Sequence, residues 1–246
     1  MTMFQPRYVL IACGLLSLGS GLSAEEQKEA PGLSAQTSND GSFSPMWHDE
    51  MVRLNESHRT SIRTRNHGPT IADSRALLTK IAETSGEHST DFAAALSMHA
   101  MHLNAAGRPA EALPLLARAL PLSSQLFGER HRATLSCLHR YGFVLRRLGH
   151  DEAAAPYLEL ATRLRTETLG EADGQTMLSR LNYAHALFNL KRFEEAAATY
   201  GDALRIAEQH YGRKHHAYVS SRRYYAASLR KLGRHEEAGA LMSREK

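Results

Sequence analysis

Two pairs of cations in this 246-residue sequence stand in nearly the same words. Arg146 and Arg147 lie in LRRLGHDEAA, Leu145 to Ala154, and Arg230 and Lys231 lie in LRKLGRHEEA, Leu229 to Ala238. A guanidinium offers parallel N–H donors that match both oxygens of a carboxylate, so such pairs suit recognition of an acidic peptide segment or a C-terminus. The competing reading is structural: Arg and Lys near the end of an amphipathic helix face water and complement the helix dipole.

Catalytic and metal chemistry finds less support. The 14 histidines are many for this length, and His99 with His102, or His215 with His216, could suggest a metal. No Asp/Glu/His cluster recurs at ligand spacing such as H-E-x-x-H. There is no Gly-rich phosphate loop, no G-x-S-x-G and no persuasive Cys/His pair. The expectation is no catalytic residue, no metal and no cofactor. Glu194–Glu195 and Glu236–Glu237 read as solvated first turns of helices, where negative charge is favoured. Phe143, Phe188, Tyr224 and Tyr225 could form a base-stacking platform. With 30 Lys+Arg against 26 Asp+Glu and no long basic run, however, the chain has no nucleic-acid signature.

The elements that must position these residues emerge from arithmetic. GEHST at Gly86, GERHRAT at Gly128, GEADGQT at Gly170 and GRKHHAY at Gly212 are spaced 42 residues apart. The same register aligns Leu103, Leu145, Leu187 and Leu229, then Ala112, Ala154, Ala196 and Ala238, then Ala119, Ala161 and Ala203. Apolar residues recur at helical spacing on both sides of each central turn, as in Leu135, Leu138, Tyr141, Gly142, Leu145 and Leu148, then Ala154, Tyr157, Leu158 and Ala161. Each unit therefore reads as a helical hairpin, with Gly107, Gly149 and Gly233 where the first helix must end. Lys191 takes that place in the third unit, which suggests that the turn needs a left-handed residue less strictly. Small residues such as Gly142, Ala184 and Ala226 let helices approach while Leu and Tyr fill the gaps. His99 falls in the same column as Tyr141, Tyr183 and Tyr225, and His88, His131 and His215 sit where helix caps are expected.

These columns resemble the tetratricopeptide repeat (TPR), in the long variety of about 42 residues found in kinesin light chains, with GERH resembling its G-x-x-H-P opening. Of that variety's paired Asn, only Asn182 in LNYA is matched. The resemblance implies an all-α, right-handed α-solenoid of helical hairpins. It also implies a concave face, lined by the first helices, that holds a protein or peptide. By register the groove takes Ser136, His139, Phe143, Arg146 and Arg147 in the second unit. The third supplies Leu178, Leu181, His185, Phe188 and Asn189; the fourth supplies Ser220, Arg223, Ala227, Arg230 and Lys231. Ala94, Ser97, Met101, Asn104 and Ala105 line it in the first. The expected ligand is an acidic segment with an apolar residue at its centre.

The units fall at 86–127, 128–169, 170–211 and 212–246, preceded by a degenerate helical hairpin at 46–85. Residues 25–45, rich in Ser, Gly, Gln, Glu and Asn, read as a flexible tether. MTMFQPR followed by the uncharged stretch Tyr8 to Leu22 reads as an export signal cleaved after Ala24, which places the mature chain outside the cytoplasm, in the periplasm of a bacterium. A lipoprotein through Cys13 in LIAC, or an uncleaved anchor, are the alternatives, and only these would bring the chain to a membrane. Removal of Cys13 leaves Cys137 alone, read as a small buried residue rather than a reactive thiol. The functional expectation is an exported scaffold or adaptor that does no chemistry of its own. The alternatives are a self-assembling envelope component, pairing through Leu241 and Met242 at the C-terminal end of the solenoid, and a His-rich metal carrier or enzyme.

Overall fold

The computed structural model describes residues 45–243. The expected signal 1–24, the Cys13 lipobox and residues 25–44 of the expected tether lie outside the described residues, as do residues 244–246. A 3-10 turn, Pro45–Trp47, leads into α1 (His48–Thr64) and α2 (Gly68–Ser85). Four hairpins follow: α3 (Thr90–Ala105) with α4 (Pro109–Phe127), α5 (Arg132–Arg147) with α6 (Asp151–Leu169), α7 (Gly174–Asn189) with α8 (Phe193–His210), and α9 (His216–Lys231) with α10 (His235–Ser243). No strand occurs among the described residues. Each helix packs on its sequence neighbours, and this makes an α-solenoid of helical hairpins.

The sequence repeat becomes geometry at the turns. After the first helix of each hairpin the amide of Arg108, His150, Arg192 or Arg234 donates to the carbonyl of Leu103, Leu145, Leu187 or Leu229 at 2.9–3.0 Å. One residue earlier the amides of Gly107, Gly149, Lys191 and Gly233 donate to Asn104, Arg146, Phe188 and Arg230. This paired pattern satisfies the last carbonyls of the helix and demands a left-handed residue at its second-to-last position. The glycines take φ of 76–80°, and Lys191 takes 61° in the same place. The expectation that the third turn relaxes this demand is therefore corrected: Lys191 adopts the left-handed backbone in spite of its Cβ, at a cost of roughly 1 kcal/mol. Between hairpins, Gly128 (φ 86°, ψ 161°) and Gly170 (φ 90°, ψ 162°) occupy a region essentially closed to other residues.

The helix starts show one more correction. Ser89, His131, Asp173 and His215 are the N-caps, each side chain accepting from a backbone amide two or three residues on. His88 was the expected cap of the first unit; the adjacent Ser89 takes the role, its hydroxyl accepting from Phe92 N at 3.2 Å.

The core is a stack of the repeat columns. Ala112, Ala154, Ala196 and Ala238 are fully buried, as are Ala119, Ala161 and Ala203, and so are Leu116, Leu158 and Tyr200. Each Leu so buried contributes about 1.5–3 kcal/mol relative to exposure. Gly142 marks a close helix approach: a Cβ there would lie 2.9 Å from Leu158 Cγ. The Cys137 thiol is buried, and burial pushes it up to about 12, so it stays protonated and unreactive at neutral pH.

Candidate protein-binding face

The odd helices of the hairpins also approach one another, α3 to α5, α5 to α7 and α7 to α9, whereas no pair of even helices comes comparably close. Helices that crowd together line the inside of a curve, so α3, α5, α7 and α9 form the inner face. Side chains tie successive inner helices. Arg140 on α5 donates from Nη1 to Ser97 Oγ at 2.7 Å and from Nη2 to Met101 Sδ at 3.5 Å. Arg147 Nη1 donates to the Asn104 carbonyl at 2.5 Å and to Asn104 Oδ1 at 2.8 Å. His139 Nδ1 lies 3.1 Å from Ser179 Oγ of α7. His185 on α7 meets Tyr224 of α9 edge-on at 4.4 Å, and Phe188 meets the same ring at 6.2 Å.

Against this geometry the known proteins can be placed. A family model described as the tetratricopeptide repeat matches residues 91–167 and 175–243. The chain belongs to the tetratricopeptide-repeat family. Among solved structures, the TPR solenoid is similar to a Podosopora anserina chain described as a kinesin light chain with nearly identical TPR-like repeats. Its point-substituted form has a TM-score of 0.70 and 18% identity over 80% of this chain and 93% of that one. The unsubstituted form gives a TM-score of 0.69 and 18% identity over 78% and 91%. BtubC (BKLC) from P. vanneervenii gives a TM-score of 0.59 and 15% identity, covering 82% of this chain and 90% of that chain. No curated protein matches the sequence. The TPR fold is a protein-interaction scaffold, and its generic surface is the inner face described above.

The TPR hairpins divide their charge unevenly. The inner helices carry Arg132, Arg140, Arg146 and Arg147 on α5, Arg180 on α7, and Arg222, Arg223, Arg230 and Lys231 on α9, with Asp91 their only carboxylate. The outer helices carry the acids, Asp151, Glu152, Glu159 and Glu167 on α6 beside Arg163 and Arg165, and Glu194, Glu195, Asp202 and Glu208 on α8 beside Arg205. Three of the outer-helix acids close bidentate pairs across the turn, Arg108 with Glu111, Arg192 with Glu195 and Arg234 with Glu237, at 2.5–2.7 Å. These pairs are exposed and worth about 0–1 kcal/mol each.

The expected groove residues take different places on this TPR face. Arg223, Arg230, Lys231 and Asn189 are exposed. Asn189 Nδ2 donates to both Asp151 oxygens at 3.2–3.3 Å, and the Arg223 guanidinium lies 4.9 Å from the Tyr224 ring centroid. Phe143, Phe188, Arg146 and Ser136 are half-buried. Arg146 covers the Phe143 ring at 5.4 Å, and Ser136 lies 3.5 Å from Arg165 Nη2. Arg147 is tied to Asn104, as above. Leu181 and His139 are both buried. His185 Nδ1 donates to the Leu181 carbonyl at 2.7 Å; burial, with Arg146 nearby, lowers it to about 3. Burial and then Arg165 hold His139 well below its ordinary range. Both rings are neutral at physiological pH and serve as packing surface.

Two residues of this region were not anticipated. Arg140 stands in the register of Asn182, whose own amide is spent on the Leu178 carbonyl at 3.0 Å. Arg165 on α6 is almost wholly buried, donating to the Gln175 carbonyl at 2.9 Å and to Ser179 Oγ at 2.7 Å. Burial, then Arg140, lowers it to about 9, so it remains protonated. The sequence held a signal: in the 42-residue register Arg165 aligns with Ser123 and Ala207, a column of small buried residues. A large cation there must carry its own donors' partners into the core.

Proposed function

We propose that the chain is an exported TPR scaffold whose inner face takes an acidic, partly apolar segment of a protein partner. The observation that carries this is the partition of charge. Cations stand without carboxylates on α5, α7 and α9, carboxylates outnumber cations on α6 and α8, and the half-buried rings of Phe143, Phe188 and Tyr224 stand on the same inner helices as the unopposed cations. Such a face steers an acidic partner toward itself and repels a basic one. Apolar side chains of the partner would supply the burial that charge alone does not. The reading assigns the protein no chemistry of its own, no cofactor and no nucleic acid. Export rests on the leader-like composition of residues 1–24.

A photo-crosslinking amino acid tests the face directly. Placed at Phe188 on α7 it should capture a discrete protein in the source cell, whereas at Leu126, exposed near the end of α4, it should not. Equal capture at both positions would reject the inner face as the binding surface. Export is checked by fractionation and N-terminal sequencing, with Glu25 the expected first residue. Self-association is favoured by one observation, the exposed apolar side chains of Val219 on α9 and Met242 on α10. Light scattering at tens of micromolar reads it, and a monomer would remove it.

A further inference from the structure

At the N-terminal end of the solenoid two histidines meet across the contact of α1 with α3. The ring centroids of His58 and His102 are 4.8 Å apart and the planes are tilted by 36°. His58 is 9% exposed and His102 1%. Both ring nitrogens of His102 and Nδ1 of His58 are buried without a hydrogen-bond partner, so neither ring recovers inside what it loses in leaving water.

The groups that face the pair come from three elements. Arg140 of α5 lies close enough to oppose a positive charge on either ring, with its Nη1 on Ser97 Oγ. His67, from the α1–α2 turn, bears on both rings and has Nδ1 3.2 Å from Ser61 Oγ of α1. His99 of α3 bears on His102 and has Nδ1 2.8 Å from Ser74 Oγ of α2. Among the described residues, all the groups acting on either ring are cations or imidazoles. The junction of α1 with α2 is also the loosest of the consecutive helix junctions, so α1 is the helix least held by packing.

We propose that the His58–His102 contact is an acid-released latch: it keeps α1 docked on α3 at neutral pH and lets α1 leave the solenoid in mildly acidic surroundings. Burial, followed by Arg140 for His58 and by His58 itself for His102, lowers the docked rings to about 4 and about 3, against an ordinary 6.5. An undocked ring therefore binds a proton as pH falls through 6.5, while a docked one refuses it until pH 3–4. Docking is fully favoured above pH 6.5 and weakens steadily below it. By pH 5 each ring shifts the balance toward the released helix roughly 30-fold relative to pH 8, and the two together roughly 1,000-fold. Release bares the seats of Met51 and Leu54, giving the scaffold a second apolar surface in acidic surroundings only.

The sequence supplies its own reporter. Trp47, the only tryptophan, sits at the start of α1, 2% exposed, with Lys80 Nζ 5.0 Å from its ring centroid. On the full chain, its emission maximum should move to the red between pH 7.5 and 5, while far-UV ellipticity falls by no more than the share of α1. The double variant His58→Leu/His102→Leu should hold its emission constant over that range. If that variant does not fold, His58→Gln serves instead: amide exchange of α1 should then gain roughly 30-fold rather than 1,000-fold in opening between pH 8 and 5. Emission unchanged down to pH 4.5 overturns the latch. So does a red shift that coincides with loss of all helicity, or one that persists unaltered in the variants.

Discussion

The α5–α6 and α9–α10 hairpins speak nearly the same sequence and use it differently. In α5, Arg147 is closed on Asn104 of the preceding hairpin, and Arg146 lies over Phe143. In α9, Arg230 and Lys231 are exposed. The cause lies one unit upstream. Arg147 reaches back 43 residues to an Asn that offers two oxygens. The same step from Lys231 ends at Phe188, whose ring is engaged with Phe193 and Tyr224. The second helices diverge as well: Leu158 is fully buried, whereas its register equivalent Met242 is 38% exposed. A repeat position thus fixes where a side chain stands; the neighbouring unit decides whether it becomes mortar or surface.

The largest test of that contrast is in the core. Leu158→Ala should cost about 2–5 kcal/mol in urea unfolding, by leaving a cavity against Gly142 on α5. Met242→Ala, at the same register, should cost under about 1 kcal/mol. Comparable losses would mean that α10 is packed as tightly as α6. Next comes the cation pair. Arg147→Met keeps the aliphatic stem but leaves the buried Asn104 without its donor, for a loss of about 1–3 kcal/mol. Lys231→Met should stay within about 0.5 kcal/mol, and equal effects in a thermal melt would erase the distinction between the two hairpins. The smallest effect is expected at the intervening turn. Lys191→Gly, at φ 61°, should raise stability by about 0.5–1 kcal/mol, which is a melting shift of a few degrees. A loss there would show that the Lys191 side chain makes a compensating contact.

Much of the fold was legible because it is said four times. The Leu103, Ala112 and Ala119 columns, the turn glycines and the hairpin lengths all follow from one 42-residue register, and a conformational demand repeated in register is hard to mistake. What was not legible lies where the register is broken. The left-handed backbone of Lys191 is imposed by the hydrogen bonds of Leu187 and Phe188, which a sequence does not display. Ser89 displaced His88 as cap by one position, within the ordinary uncertainty of helix ends. α1 begins 42 residues before α3, and Arg65 (φ 55°) takes the turn position of Gly107, but its side chains depart from the repeat columns, so the register did not show beforehand and its buried His58, at the place of Ala100, could not be paired with His102. The inner face was legible as a set of helices but not as a set of free side chains. Leu181, His139 and His185 belong to the packing, and their neutral rings owe that state to burial that only the tertiary structure supplies. The strongest functional signal, carboxylates almost confined to the second helices and cations in excess on the first, was present in the sequence. It becomes readable only when residues are grouped by helix.

The central claim is that the exposed cations of the inner face bind an acidic protein segment. It is tested most directly by titrating a labelled Glu-rich peptide with a central Leu against the full chain, alongside a Lys-rich counterpart, at low and high salt. The acidic probe should bind, and should weaken steeply as salt shortens the screening length from roughly 30 Å at 0.01 M toward 8 Å at 0.15 M. Arg230→Glu with Lys231→Glu should reduce its affinity at least about tenfold, which is 1.4 kcal/mol or more. Equal binding of the two probes, or an affinity indifferent to both salt and the double reversal, would contradict the account.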